Sequence, residues 1–342
     1  MSKFLNMSKL LNMSKLLNID SATGVAYTMQ FMAIGGGGGG GGSLNDGGGG
    51  GGGEVKYAQC KVKQGDVLTI MVGDAVFSSG FLIYRDNTTS GVSPPSNGNP
   101  TSITSSNPSF ISNFTANGGG HGADVDAFIS ASSGGSGGGG ANTTGLRAGA
   151  SGIIGTYYSF AQNGGSAPAT GTFGGGGGGG AYGVGGSAQN SSNPHTGGSG
   201  GDGFLLPYPF SISYIATLAG GYVAGGGGGA NTSTSTAQGG VGGLGGGGTG
   251  GNGDGVSSNI PASTINNTGA GGGAIGSAVQ AGGYTYYYYG SEVYVFPSGG
   301  QGSAILVIPK AFYTGTYTGN VQVTSDDTYY VLSFTGSGTY TV

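Results

Sequence analysis

Charge is scarce in this chain. Lys and Arg together number 9, Asp and Glu 13, and the net charge is −4 over 342 residues. Without a basic patch to displace counterions, nucleic-acid binding is disfavoured. The densest positive cluster, Lys56, Lys61 and Lys63, reads as a solvated strand face. Cysteine is almost missing: Cys60 stands alone, so no intrachain disulfide framework is possible and no redox compartment is indicated. No apolar run reaches transmembrane length, and no membrane insertion is expected. Proline numbers 11 and glycine keeps no strict third-place period, which excludes collagen. Histidine occurs twice, as His121 and His195, both in Gly/Ser/Asn surroundings. No nucleophile stands at a readable spacing from a base and an orienting group, so the chain is expected not to be an enzyme and to carry no cofactor. Two fragments resemble metal loops. His121, Asp124 and Asp126 read as an ordinary polar loop. Gly197–Leu205, with Asp202, is a single calcium-type nonapeptide of a kind that binds only in stacked tandem copies. No metal is expected at either.

What the chain has in excess is glycine, 87 residues, much of it in unbroken runs such as 35–42, 47–53, 137–140, 174–180, 225–229 and 245–248. A run without side chains can bury no apolar face, so it is either flexible tether or a packed bundle of bare backbones. Tether and disorder normally go with high charge and few aromatics. Here there are 20 Tyr and 14 Phe, with only 6% charged residues, which favours collapse. The remaining arrangement is polyglycine II, an extended threefold helix rising about 3.1 Å per residue, on which residues 35–42 would span roughly 25 Å. That helix has no internal hydrogen bonds, so buried N–H and C=O groups must pair between neighbouring helices. The expected fold is therefore mostly irregular and β: a polyglycine II bundle framed by antiparallel strands, with long surface loops and a C-terminal β-segment.

Residues 1–18 repeat a six-residue unit (MSKFLN, MSKLLN, MSKLLN), and residues 1–20 read as a docking segment. Residues 21–309 form the expected glycine-rich domain. Within it, Val25–Ile34 runs as a strand into Gly35, and Glu54–Lys63 emerges from the second glycine run. Gln64-Gly65-Asp66 is a turn signal before Val67–Val72, so that pair reads as a hairpin. Ala304–Ile308 is a continuous apolar run, as in a buried strand, and is expected to return to pair with the first strands. Between them, glycine runs alternate with loops rich in Asn, Ser, Thr, Tyr and Pro. Residues 310–342 read as a separate C-terminal β-segment.

The passage AYTMQFMAIGGGGGGGG, the pattern Gly65, Asp66, Leu68, Ile70, Val72, Gly73 and the closing Gly302–Pro309 together resemble the glycine-rich domain of virus and phage structural proteins. The alternation of glycine blocks with polar loops is similar to the distal tail-fibre adhesins of T-even-like bacteriophages. The resemblance covers roughly 25–309 and implies a polyglycine II sandwich holding receptor-binding loops. The chain departs from those adhesins in offering only the short repeat where they carry a fibre-attachment domain.

Two loops are the main candidates for receptor contact. One carries Tyr284, Tyr286, Tyr287, Tyr288, Tyr289 and Tyr294. Tyrosine offers rigid area with a hydrogen-bonding tip, and four in a row cannot all face one core. The other carries Phe204, Tyr208 and Phe210, stiffened by Pro207 and Pro209. Tyr157, Tyr158 and Phe160 form a third aromatic cluster. The expected function is a virion-surface, extracellular adhesin whose partner is a host cell-surface protein or glycan. It would attach to a fibre, or to copies of itself, through residues 1–18. The alternative is a self-assembling structural or filament protein in which the same aromatics are subunit contacts.

Overall fold

A computed structural model describes residues 26–41, 47–76, 82–83, 89–90, 95–107, 114–125, 128–141, 148–153, 158–168, 174–189, 196–231, 238–252, 264–274, 285–288, 291–294 and 298–342. The N-terminal repeat lies outside them. In chain order the strands are β1 (Ala26–Ile34), β2 (Val55–Lys63), β3 (Val67–Met71), β4 (Leu82–Ile83), β5 (Thr89–Ser90), β6 (Thr101–Ser105), β7 (Phe114–Ala116), β8 (Tyr158–Phe160) and β9 (Phe204–Leu205). They continue with β10 (Tyr222–Val223), β11 (Thr285–Tyr288), β12 (Ser291–Tyr294), β13 (Ser303–Pro309), β14 (Tyr317–Thr318), β15 (Val321–Ser325), β16 (Tyr329–Phe334) and β17 (Gly338–Thr341). One short α-helix, α1 (Tyr214–Leu218), accompanies them. The described fold is thus mostly β, and every strand pairing in it is antiparallel.

The central strands are apolar because they are covered on both faces. A six-stranded sheet runs β15-β16-β13-β1-β2-β8, and β13 pairs with β1 as its composition led one to expect, with Leu306 opposite Phe31. Strand pleating sends Met29, Phe31 and Ala33 of β1 to one side, with Leu306 and Ile308 of β13. Met32, Ile34, Ile305 and Val307 go to the other. On the first side a five-stranded sheet, β14-β17-β3-β6-β7, closes a sandwich around Leu68, Ile70, Ile103 and Phe114. Phe31 meets Phe114 edge to face at 4.7 Å between ring centres. Each such ring, fully buried, contributes roughly 1.5–3 kcal/mol. On the second side the chain from β9 to β10 lies over the sheet, placing Leu206, Phe210, Ile215 and Val223 against it. Ser213 starts α1, its hydroxyl accepting from the Ala216 N–H at 3.3 Å.

Two expectations are corrected here. The turn at Gln64-Gly65 exists, with the Lys63 N–H donating to Asp66 Oδ2 at 2.8 Å and Gly65 at φ +91°. It does not make a hairpin. β2 pairs with β1 and β8, whereas β3 pairs with β17 and β6, so the turn is a corner between sheets. The edge of β3 that a hairpin partner would use is taken by β17, and the Gly65 N–H donates to the Val342 carbonyl. For the same reason residues 310–342 are not separate in their pairing: β16 lies on β13, while β14 and β17 extend the opposite sheet.

The glycine segments are neither helix nor sheet, yet they are buried. Their backbone groups pair laterally with a period of three. Gly48, Gly51 and Glu54 donate to Ala123, Gly120 and Asn117; Gly49 and Gly52 donate to Gly176 and Gly179; Gly50 and Gly53 donate to Gly272 and Gly269, all at 2.8 to 3.0 Å. The partner numbers fall along the first and third sets and rise along the second, so neighbours run both antiparallel and parallel. The segment at 174–181 repeats the rule: Gly175, Gly178 and Ala181 reach Ala230, Gly227 and Ala224, and Gly177 and Gly180 reach Gly186 and Gly183. Neighbouring backbones lie so close that a Cβ on Gly50 would overlap the Gly38 carbonyl.

The strands and this array meet at a buried ion pair. Glu54 is fully buried and Lys56 nearly so, with Lys56 Nζ 3.5 Å from Glu54 Oε1. Lys56 is therefore not on a solvated face as its sequence neighbours suggested, and it also donates to the Thr115 carbonyl at 2.8 Å. Glu54 Oε2 accepts from the Asn117 backbone N–H (2.8 Å) and side-chain amide (2.9 Å), and Oε1 accepts from Ser159 Oγ.

Candidate functional site

The tyrosine-rich stretch forms a ribbon of β11 and β12 within a four-stranded sheet, β11-β12-β4-β5. Tyr286 stands opposite Val293, Tyr287 opposite Glu292 and Tyr288 opposite Ser291. Tyr294 stands opposite Thr285. Tyr284 and Tyr289 lie outside the described residues. The partners Leu82–Ile83 and Thr89–Ser90 were not legible, since two-residue strands carry no periodic signal.

The 204–215 loop is divided by its packing. Phe210, 2% exposed, belongs to the core beneath the sheet and is corrected from a contact residue to a structural one. Phe204 is half-buried and lies 4.4 Å from the Phe160 ring. Tyr208 is exposed, its hydroxyl donating to Asp326 Oδ2 at 2.9 Å. The Tyr329 and Thr328 N–H groups donate to Asp326 Oδ1, and these bonds hold its carboxyl below the usual carboxylate range. Sequence reasoning missed Tyr57 on β2. It stacks on Tyr158 at 4.8 Å and lies 6.1 Å from Phe160 and 6.4 Å from Phe204, so the second and third aromatic clusters form one surface. Tyr57 sits in a strand that reads as frame, and only the pairing of β8 with β2 brings Tyr158 to it. Tyr157 lies outside the described residues.

The metal-like fragments have other partners. His121 Nδ1 is 3.0 Å from the Gly122 carbonyl, and Asp124 is buried, its backbone paired with Ile129. Asp126 is outside the described residues. Asp202 Oδ1 accepts from the Leu244 N–H at 3.1 Å. Among the described residues no three His, Cys, Asp or Glu side chains group as metal ligands, and no helix is long and apolar enough to cross a membrane.

Burial lowers the His121 pKa, partly opposed by its bond to the Gly122 carbonyl. The unfolded chain therefore takes up a proton near pH 6.5 that the folded chain still refuses. Stability is expected to fall as pH drops below about 6.5 toward the lower folded value. His121→Asn should flatten that part of a melting-temperature curve recorded between about pH 7 and pH 5. An unchanged slope would assign the acid sensitivity to other groups.

No family model matches this chain, and no curated protein matches it.

Proposed function

We propose that this protein is a virion-surface adhesin of the tail-fibre-tip kind, in which glycine segments form a polyglycine II bundle that holds loops against a host cell-surface protein or glycan. The observation that carries the reading is the donor pattern of Gly48–Glu54. Three successive N–H groups reach three different segments, and the set repeats every third residue. A threefold extended helix without internal hydrogen bonds requires that pattern of its neighbours. Such a bundle is crosslinked in several directions, and loops anchored on a rigid scaffold are where binding resides. The contact residues in this reading are those of the β11–β12 ribbon, Tyr286, Tyr287, Tyr288 and Tyr294, together with the adjoining Tyr284 and Tyr289. Exposed Tyr208 and half-buried Phe204 form a second contact.

Replacing Tyr286–Tyr289 with serine is expected to abolish attachment of fluorescently labelled protein to a panel of bacterial cells. The far-UV circular dichroism and melting temperature should be retained. Attachment equal to that of the unaltered protein would remove the ribbon from the site.

A further inference from the structure

The chain that precedes β1 joins the fold at one place. Ala26, the first residue of β1, stands opposite Lys63, so Gln64 lies on one side of that entry. On the other side β13 pairs with β1 and ends at Pro309, which brings the residues after it alongside. Between these flanks lies a pocket of about 540 Å³. Its wall includes Tyr27, the second residue of β1, with Gln64, Ala311, Phe312, Tyr313 and Val342. The segment before Ala26 therefore starts at the rim of a cavity.

Much of that wall is aromatic. The Phe312 ring stacks on Tyr27 at 4.4 Å and 5°, and Phe312 remains 37% exposed, so one face of its ring is taken and the other is open. Tyr313 stacks on Tyr330 at 4.1 Å, which fixes that side of the wall. Polar groups around the pocket have partners within the fold. The Thr314 hydroxyl donates to the Thr341 carbonyl at 2.6 Å, and the Val342 carbonyl accepts from the Gly65 N–H at 2.7 Å. An apolar occupant would cover the open ring face and leave these bonds in place.

The sequence holds such an occupant close by. The third repeat ends in Leu16, Leu17 and Asn18, and Ile19 follows. Residues 20–25 join Ile19 to Ala26 and reach roughly 20 Å when extended, enough to turn back into the pocket. Closing that loop costs less entropy than bringing the first repeat to the same place. So short a tether also holds the segment at an effective concentration in the ~mM range. We propose that the pocket is filled by Leu16, Leu17 and Ile19 of the same chain, which seal this end of the sandwich and leave the first two repeats for attachment. The proposal does not rest on the adhesin reading and would hold equally in a structural protein.

The test is limited trypsin digestion of the native full chain, followed by mass spectrometry. The second and third repeats are both MSKLLN, so trypsin meets the same local sequence at Lys9 and at Lys15. A difference between their rates therefore reports what the fold does to the third repeat. Cleavage after Lys15 is expected to be ~10-fold slower than after Lys9, because a docked segment is cut only when it opens. Phe312→Ala removes the open ring, and Ala311→Trp, at an exposed position in the wall, fills the space. Each should bring the Lys15 rate up to the Lys9 rate with the circular dichroism spectrum retained. Protection should also survive an about hundredfold dilution, since the tether is intramolecular. Equal rates at Lys9 and Lys15 in the unaltered protein would overturn the proposal. Protection that persists in both variants would place the segment elsewhere and overturn it too. Protection lost on dilution would assign the pocket to a second copy of the chain, against the proposal.

Discussion

Gly50→Ala is expected to cost about 4 kcal/mol or more, a loss few single substitutions produce. Gly50 donates to Gly272 and accepts from Gly227, while a Cβ on it would overlap the Gly38 carbonyl oxygen and come within 2.8 Å of the Gly38 carbonyl carbon. The obstacle is backbone, which has no rotamer to change, and the Gly38 segment is itself tied to Gly51 and Gly272. Relief would require three segments to part and break hydrogen bonds that no water can replace in the interior. The comparison is Gly336→Ala, where the nearest atom to a new Cβ is Asn320 Cβ at 3.4 Å. That change should stay within about 0.5 kcal/mol. Thermal or urea unfolding followed by circular dichroism measures both. A cost below about 1 kcal/mol at Gly50, the size of an ordinary substitution, would mean that the segments are not closely packed.

Glu54→Ala should be the second most damaging change, at about 3–5 kcal/mol. It removes the carboxylate that faces Lys56 Nζ at 3.5 Å and strands a buried ammonium with the Thr115 carbonyl. It also deprives the Asn117 N–H and the Ser159 hydroxyl of their acceptor. Lys56→Met alone should cost less, because the Glu54 carboxylate keeps its Asn117 and Ser159 donors. In the double variant the stranded charge is gone, so adding Lys56→Met to Glu54→Ala should recover stability rather than lose more. A double-mutant cycle by urea denaturation reads this directly, and simple additivity would show that the pair is not coupled. The position explains the stakes: Glu54 directly follows the glycine run 47–53 and stands directly before β2, so its side chain locks the array to the frame.

Much of the β frame was legible in the residues. Ala304–Ile308 reads as a strand covered on both faces because five apolar residues in a row leave no face for water, and β13 lies between β1 and β16. The run from Ala26 to Ile34 into Gly35 likewise marked where the strand ends and glycine takes over. The hairpin was misread because Gln64-Gly65-Asp66 specifies a reversal but not the sheet that receives the chain afterwards. That choice was made by β17, more than 250 residues away in the sequence. Phe210 illustrates the same limit at the candidate site. An aromatic directly after a Pro-Tyr-Pro stretch looks like part of a loop tip, yet Tyr57, Ile215 and Val331 cluster with it against the sheet. Lys56 was misplaced because a buried lysine is legible only once Glu54 is known to face it.

The sequence by itself determined that the glycine runs could be neither ordinary helix nor strand, that low charge and many aromatics favour a collapsed chain, and where the apolar strands lie. Those are local properties: a bare backbone has no face to bury, and an apolar run has no face to expose. Only the tertiary structure decided which strands share a sheet, which segment each glycine N–H reaches, and which aromatics are core or surface. Backbone donors and acceptors are the same on every residue. Their pairing is chosen by which segments the whole chain can bring within about 3 Å of one another, and no residue taken alone carries that information.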